Sequence, residues 1–474
     1  MPAAICGKAS GPLSTNIPAG TRRVQRAQIE LESPSCALPG ASRLSSVDRC
    51  GNSHGQLGWR RASLHRFPLF ALLFWSLSLG WAMPLSATSV PDLRNTEFMG
   101  AVNHIFALVY NLDFDPASAE LAKLAVQYPE HPAVPLYQAM VLWLHQLDDN
   151  HVLSLDCFFH PACFTSNAAN PLNAATSQRI MGLLNASRTL SDRRLKVNPN
   201  DADARYYRGA AEALAAAVAI TLNRSALDAF RYGQQASAIH HQIFRDNGSY
   251  YDAMLLPGLY DYLSSGLPWY LRWLAGGDRE RGLNSVNLAA EKGKWVSDDA
   301  RLIRMMLLLR EGRPAEALKD AVFLSEKYPR NYIFLMAQGQ ALDRMGHDAE
   351  ADSIYLKILK LAEERSPNYQ RIRLSRFRWD VGNRMLAHNP QASLKYYQSI
   401  LSDSSAEERW KVLAHLQSGC ALDLLGRREE AVGQYQMVLR MKEYDNSHAA
   451  ATRHLKEKFD IIGNRIALPR LSAQ

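Results

Sequence analysis

The stretch that decides the fold runs from Glu311 to Leu359, EGRPAEALKDAVFLSEKYPRNYIFLMAQGQALDRMGHDAEADSIYLKIL. Its turn glycines, Gly312 and Gly346, stand 34 residues apart, and each is followed five positions later by an alanine, Ala317 and Ala351. That period is the spacing of stacked helix-turn-helix hairpins. The register returns further along, where Gly339, Gly346, Ala351, Tyr355 and Ile358 recur with identical spacing as Gly419, Gly426, Ala431, Tyr435 and Val438. Small residues let two helices approach closely, while aromatic and aliphatic positions fill the seam between hairpins. Proline closes a second helix because it cannot extend the hydrogen-bond ladder. Pro329, Pro199 and Pro129 lie ten residues before Gly339, Gly209 and Ala139, all in the same phase.

These residues resemble the tetratricopeptide repeat superfamily, over roughly residues 100–460. In LDFDPASAELAKLAVQYPEHP the family pattern falls on Ala117, Leu121, Leu124 and Pro129, with Leu112 where a turn glycine is usual. GGDRERGLNSVNLAAEKG places Gly277 at a turn, Gly282 at the small position, and Val286 and Ala289 behind it. NPQASLKYYQSIL places Ala392, Tyr396 and Ser399 on another second helix. Its intervals of 41 residues from Ala351 and 39 to Ala431 exceed 34, so longer helices or loops are expected there. No segment between Met99 and Asp460 reads as strand, and windows such as ARYYRGAAEALAAAVAITL carry apolar residues at helical spacing. The expected fold is all-α, a right-handed superhelix (α-solenoid) of helical hairpins. A divergent N-terminal region over 92–275 and a clearer array over 276–465 precede a tail at 466–474.

Residues 1–66 are rich in Ser, Gly, Pro and Arg and lack helical periodicity, as a disordered leader or an extension upstream of the true start would. FPLFALLFWSLSLGWAMPLSA, at 67–87, follows Arg60, Arg61 and Arg66 and reads as a secretory signal. Its apolar core from Phe67 to Leu79 is 13 residues long, short for a bilayer span, and Ala87 offers a cleavage site. The expectation is an exported protein of the periplasm or cell envelope, its mature chain beginning near Thr88, with an uncleaved membrane anchor at 67–85 as the alternative. The net charge of +8 is concentrated in the leader, where the first 87 residues carry nine Lys or Arg against three acids. The remainder lacks the basic field that dominates nucleic-acid affinity. One local exception is YQRIRLSRFRW, with Arg371, Arg373, Arg376 and Arg378, which fits a solvated helix face or a patch for an acidic partner.

Motifs for catalysis are missing. AGGDRERG lacks the Lys-Ser/Thr end of a phosphate loop, and no zinc-protease helix, nucleophile elbow or dinucleotide fingerprint occurs. In LDCFFHPACFTSN, Cys157 and Cys163 could close a disulfide loop in an exported protein or remain as two buried thiols; with His160 they still fall short of a four-ligand metal site. Cys420 reads as a packed or groove-lining thiol, and adjacent His240 and His241 point in different directions on a helix. The aromatic tract from Tyr250 to Trp273, with Tyr260, Tyr262, Trp269 and Tyr270, suits a non-standard hairpin core or a partner- or membrane-facing surface. No cofactor is expected.

The family resemblance implies a concave groove lined by the first helix of each hairpin. Carried onto this chain, its lining is Ile333, Met336, Gln340, Asp343 and Arg344 in one hairpin, and Leu413, Leu416, Cys420, Asp423 and Leu424 in another. Neighbouring hairpins add Leu302, Met306 and Arg310, and further back Tyr206. The Lys/Asn set that clamps a peptide carboxylate in some members is absent, which favours an apolar peptide or helix. The expected function is therefore a non-enzymatic scaffold or adaptor for a protein or peptide in the envelope. Two alternatives are an accessory subunit of a solute transporter, which the GDRERGL tract resembles, and a redox or metal protein using Cys157, His160 and Cys163.

Overall fold

The computed structural model describes residues 96–154, 171–268 and 275–461, together with Leu93, Cys157 and Arg272. The leader, the signal candidate at 67–87, His160, Cys163, Trp269, Tyr270, Trp273 and the tail lie outside the described residues. Seventeen α-helices follow one another, with no strand among the described residues. They are α1 (Thr96–Tyr110), α2 (Phe114–Gln127), α3 (Ala133–Asp149), α4 (Pro171–Val197), α5 (Ala202–Thr221), α6 (Ala226–Asp246), α7 (Leu255–Ser265), α8 (Arg279–Lys292) and α9 (Ser297–Arg310). The series continues with α10 (Pro314–Lys327), α11 (Tyr332–Arg344), α12 (Asp348–Glu363), α13 (Leu374–Met385), α14 (Pro390–Leu401), α15 (Glu408–Leu424), α16 (Arg428–Arg440) and α17 (Ser447–Lys456). Each helix packs on the next, giving eight antiparallel hairpins and a closing helix.

The chain chemistry explains the helix ends. Asp201, Ser225, Asp278 and Asn389 accept the amide three residues on, and Asn331 accepts that of Ile333, each satisfying a donor left free in the first turn. Pro314 and Pro390 occupy first-turn positions, where a missing N–H costs nothing. At the other end, Gly312, Gly346 and Gly426 take φ of 71°, 75° and 76°, the left-handed cap that glycine adopts without penalty. Leu112 makes the same turn at φ 65°, with the same pair of amide bonds: Leu112 to the Val109 carbonyl and Asp113 to the Leu108 carbonyl, both 2.9 Å. The leucine thus does a glycine's work at the turn. In the GGDRERG tract the left-handed residue is Gly276, one before the glycine expected from the spacing.

Hairpins are locked by a glycine against a ring. A Cβ on Gly339 or Gly419 would lie closer than 3.0 Å to the ring of Tyr355 or Tyr435. Gly382 meets Tyr397 in the same way. The third pair corrects the expected register of NPQASLKYYQSIL by one residue: Ser393, Tyr397 and Ile400 are buried, and Ala392, Tyr396 and Ser399 are only half-buried. The Ser393 hydroxyl donates to the Gly382 carbonyl at 2.5 Å, so a hydroxyl can fill the small position by bonding the facing backbone. Gly209 faces His240 in the equivalent contact, a histidine in the tyrosine's place.

The two ends of the array pack differently. One continuous apolar core extends from Leu93 to Ala341, and α5 lies so deep in it that nearly every side chain from Asp203 to Thr221 is buried. An alanine-rich helix suits a position enclosed on all sides, since small side chains permit close approach in every direction. From Leu335 onward the core divides into two smaller clusters, one over α11 to α13 and one over α14 to α17.

Candidate functional site

The first hairpin does not stand free at the end of a row. The turn after α1 docks on hairpins more than 180 residues later. The Tyr110 ring stacks on Tyr328 at 4.6 Å between centroids, and its hydroxyl donates to Asp299. Asn331 Nδ2 donates to the Tyr110 carbonyl at 2.8 Å, and the Arg330 amide donates to Asn111 Oδ1 at 3.0 Å. Asn368 Nδ2 donates to the Asn111 carbonyl at 2.5 Å and to Asp113 Oδ1 at 2.8 Å, while Arg330 pairs with Asp113 Oδ2. Arg371 adds an ion pair to Asp148 at the end of α3 and lies over the Phe114 ring. This clasp brings α1 to α3 against the ends of α9, α10 and α11 and the turn after α12.

The clasp surrounds an acid that pairs with no cation among the described residues. Asp299 is buried, and burial pushes its carboxyl well above the usual carboxylate range, with Asp298 and Asp252 adding repulsion and the Tyr110 hydroxyl opposing the rise. Asp252 differs because the amides of Trp295 and Val296 donate to one of its oxygens. Two buried histidines of the N-terminal core are pushed toward the neutral form by burial. His131 Nε2 donates to the Leu93 carbonyl and its Nδ1 accepts from the Ala133 amide; burial takes it down to about 4. His240 Nδ1 donates to the Ala236 carbonyl and is likewise lowered by burial to about 4. Such groups hold structure; neither presents an exposed proton-transfer site.

Several residues expected in a concave groove are interior. Tyr206 is fully buried among Tyr207, His240 and Tyr250. Leu302, Met306 and Ile333 are buried in the continuous core that begins in the N-terminal hairpins. Gln340 and Leu416 are also buried, and Asp423 is a structural anchor, accepting from the Tyr435 hydroxyl at 2.9 Å, the Phe459 amide at 2.9 Å and Arg428. Met336 remains half-buried and Asp343 half-exposed, the latter paired with Arg384. Arg310 and Arg344 are exposed; Arg344 reaches back to the Leu309 carbonyl, which puts the two arginines at the same end of neighbouring first helices.

The other sequence candidates also find places. Cys157 is disulfide-bonded, and its partner sulfur lies outside the described residues. Cys420 is a buried free thiol pushed up to about 12 by burial, which suits packing and not nucleophilic attack. Tyr250, Tyr260 and Tyr262 are core residues where the aromatic tract is described. Of the arginine tract, Arg371, Arg376 and Arg378 spend their charge on Asp148, Asp380, Glu363 and Asp403. The clasp residues Asn111, Asp113 and Asn368 have no sequence signal beyond the unusual Leu112 at a glycine position.

No protein-family model and no curated protein matches the chain. Among solved structures it is similar to a tetratricopeptide repeat protein from Parabacteroides merdae (13% identity, 72% of this chain and 97% of that one, TM-score 0.24). It is also similar to the P58(IPK) TPR domain (17%, 77% and 100%, 0.21) and to a monomeric IFIT1 mutant with m7Gppp-AAAA (13%, 85% and 83%, 0.26). Superpositions this loose carry no argument of their own. On the geometry of its own hairpins, the chain has an all-α solenoid fold of tetratricopeptide-like helical hairpins.

Proposed function

We propose that the protein is a non-enzymatic scaffold that binds a protein or peptide partner through its C-terminal hairpins, in the cell envelope. The observation that carries this reading is a contrast in packing: one core runs through the first five hairpins into α11, whereas α12 to α17 pack in two smaller clusters and α11 to α16 carry regular glycine–ring locks. A rigid repeat array presents helix faces at fixed spacing, which suits recognition of an extended or helical partner. Met336 and Arg344 on α11 are the accessible remainder of the groove and would meet an apolar segment at its edge. The envelope assignment rests on the signal read at 67–87.

Affinity capture from envelope extracts tests the reading, with full-length protein compared against Met336→Glu and, on the outer face, Met437→Glu. Loss of a specific partner with the first variant and retention with the second supports it. A partner lost only with Met437→Glu moves the surface to the convex side, and no specific partner in any sample removes the scaffold reading. The redox alternative is tested separately by free-thiol counting under denaturing conditions, where a thiol released from Cys157 during turnover would be required.

A further inference from the structure

The GGDRERG tract has a structural reason that also leaves a site beside it. Gly276 turns in the left-handed region at φ 69°. A Cβ on Gly277 would lie closer than 3.0 Å to the backbone of Ser264 and Ser265, and one on Gly282 equally close to the Tyr262 amide. Glycine therefore lets the first turn of α8 press directly on the last turn of α7. Beside this contact opens a cleft of about 480 Å³, lined by Tyr262, Ser265, Asp278 and three arginines, Arg272, Arg279 and Arg310.

The charges around the cleft are unequally satisfied. Arg279 is held by both oxygens of Glu311, with Nε to Oε1 at 2.7 Å, and its guanidinium lies over the Tyr262 ring; the Tyr262 hydroxyl donates to the same carboxylate. Glu311 is thus fully engaged. One Asp278 oxygen caps the α8 helix by accepting from the Arg281 amide at 2.7 Å, and the Arg281 side chain is forked onto Asp261. Arg272 and Arg310 make no side-chain hydrogen bond or ion pair among the described residues. Arg310 is exposed as a residue, yet the part of its side chain that is covered pulls its pKa below the ordinary guanidinium value. The one carboxylate in the lining, Asp278, already caps α8, so a guanidinium at this cleft gains from an anion that brings its own acceptors.

We propose that this cleft binds a small, multiply charged oxyanion, with Arg272 and Arg310 as the free forks and Arg279, fixed by Glu311, as the third wall. Phosphate and carboxylate oxygens share the planar two-point geometry that guanidinium recognises. Arg310 of this site neighbours Arg344 at the edge of the partner surface, but small-anion binding is read without the partner, so its failure would leave that reading standing.

The test uses the full chain and three probes, inorganic phosphate, pyrophosphate and citrate, in thermal shift and titration calorimetry against sodium chloride at matched ionic strength. A melting shift from at least one probe beyond the chloride control is expected. The combined Arg272→Gln and Arg310→Gln variant should bind roughly tenfold more weakly or worse, the loss of one or two charge-assisted bonds. Arg313→Gln, at an exposed arginine paired with Glu316, should bind as the parent does. Pyrophosphate acting without citrate assigns a phosphate-bearing ligand, and citrate without pyrophosphate a polycarboxylate. Should the double variant fail to fold, Arg310→Lys keeps the charge without the fork and should still weaken binding. No probe exceeding chloride, or weakening that Arg313→Gln matches, overturns the proposal.

Discussion

Residues 93–341 and residues 342–461 use the same hairpin to opposite ends. In the first region one continuous core runs through the hairpins, and the clasp at Tyr110–Asp113 adds polar contacts between segments distant in sequence, reaching Asn368 in the second region. In the second, each hairpin is held by its neighbours and by its own glycine–ring lock, with no comparable long-range clasp among the described residues. Repetition alone therefore does not make an open groove. Inner-helix residues are buried in both halves, Leu302 and Met306 in the first and Leu413, Leu416 and Cys420 in the second.

The largest expected effect comes from cutting the clasp. Tyr110→Ala removes a stacked ring and the hydroxyl that donates to the buried Asp299 carboxyl, a loss of about 3 to 5 kcal/mol. Hydrogen exchange should rise in α1 to α3 and at the N-terminus of α9 while α14 to α17 stays protected. Equal loss of protection in both regions would mean that the two halves unfold as one unit.

Next in size is Ala351→Leu, on α12 with no exposed surface. Overpacking there should cost roughly 1 to 3 kcal/mol. The damage should spread through α10 to α13 and spare α2, whereas Glu350→Leu, on the exposed side of the same helix, should change the melting temperature little. If the two variants behave alike, the hairpin register is misassigned. A smaller effect, on the order of 1 kcal/mol, is expected for Arg371→Ala, which breaks a partly buried pair with Asp148. It should loosen the clasp without altering α15 to α17, as read by exchange at Leu108 and Val109.

The gentlest probe is pH. His131 and His240 are lowered from 6.5 to about 4, so their contribution is present above 6.5 and is lost as pH falls toward about 4. Asp299 acts in the opposite sense: its folded-state pKa is raised, so its contribution is complete below the ordinary carboxylate range and is lost as pH rises through the folded value. Denaturant midpoints followed by exchange should show both limbs in the N-terminal half, and Asp299→Asn should flatten the alkaline one alone. An unchanged alkaline limb in Asp299→Asn would assign it to another group.

Sequence spacing by itself determined the hairpin. The pattern Gly339, Gly346, Ala351, Tyr355 and Ile358 is legible because close helix packing needs a residue without bulk opposite a ring, and a left-handed turn needs glycine; both demands are local and leave a fixed spacing. Where another side chain can meet the same demand, spacing misleads by one residue, as at Ser393 and Tyr397, or meets an exception, as at Leu112. Tertiary structure alone decided where the first hairpin is tied to the later ones. Asn111, Asp113, Asn368 and Arg371 act through single hydrogen bonds and ion pairs across more than 200 residues, with no period to repeat and no local backbone requirement to betray them. Tyr206, Leu302, Met306 and Ile333 carry the same apolar character whether they line a groove or fill a core, and only the packing around them distinguishes the two.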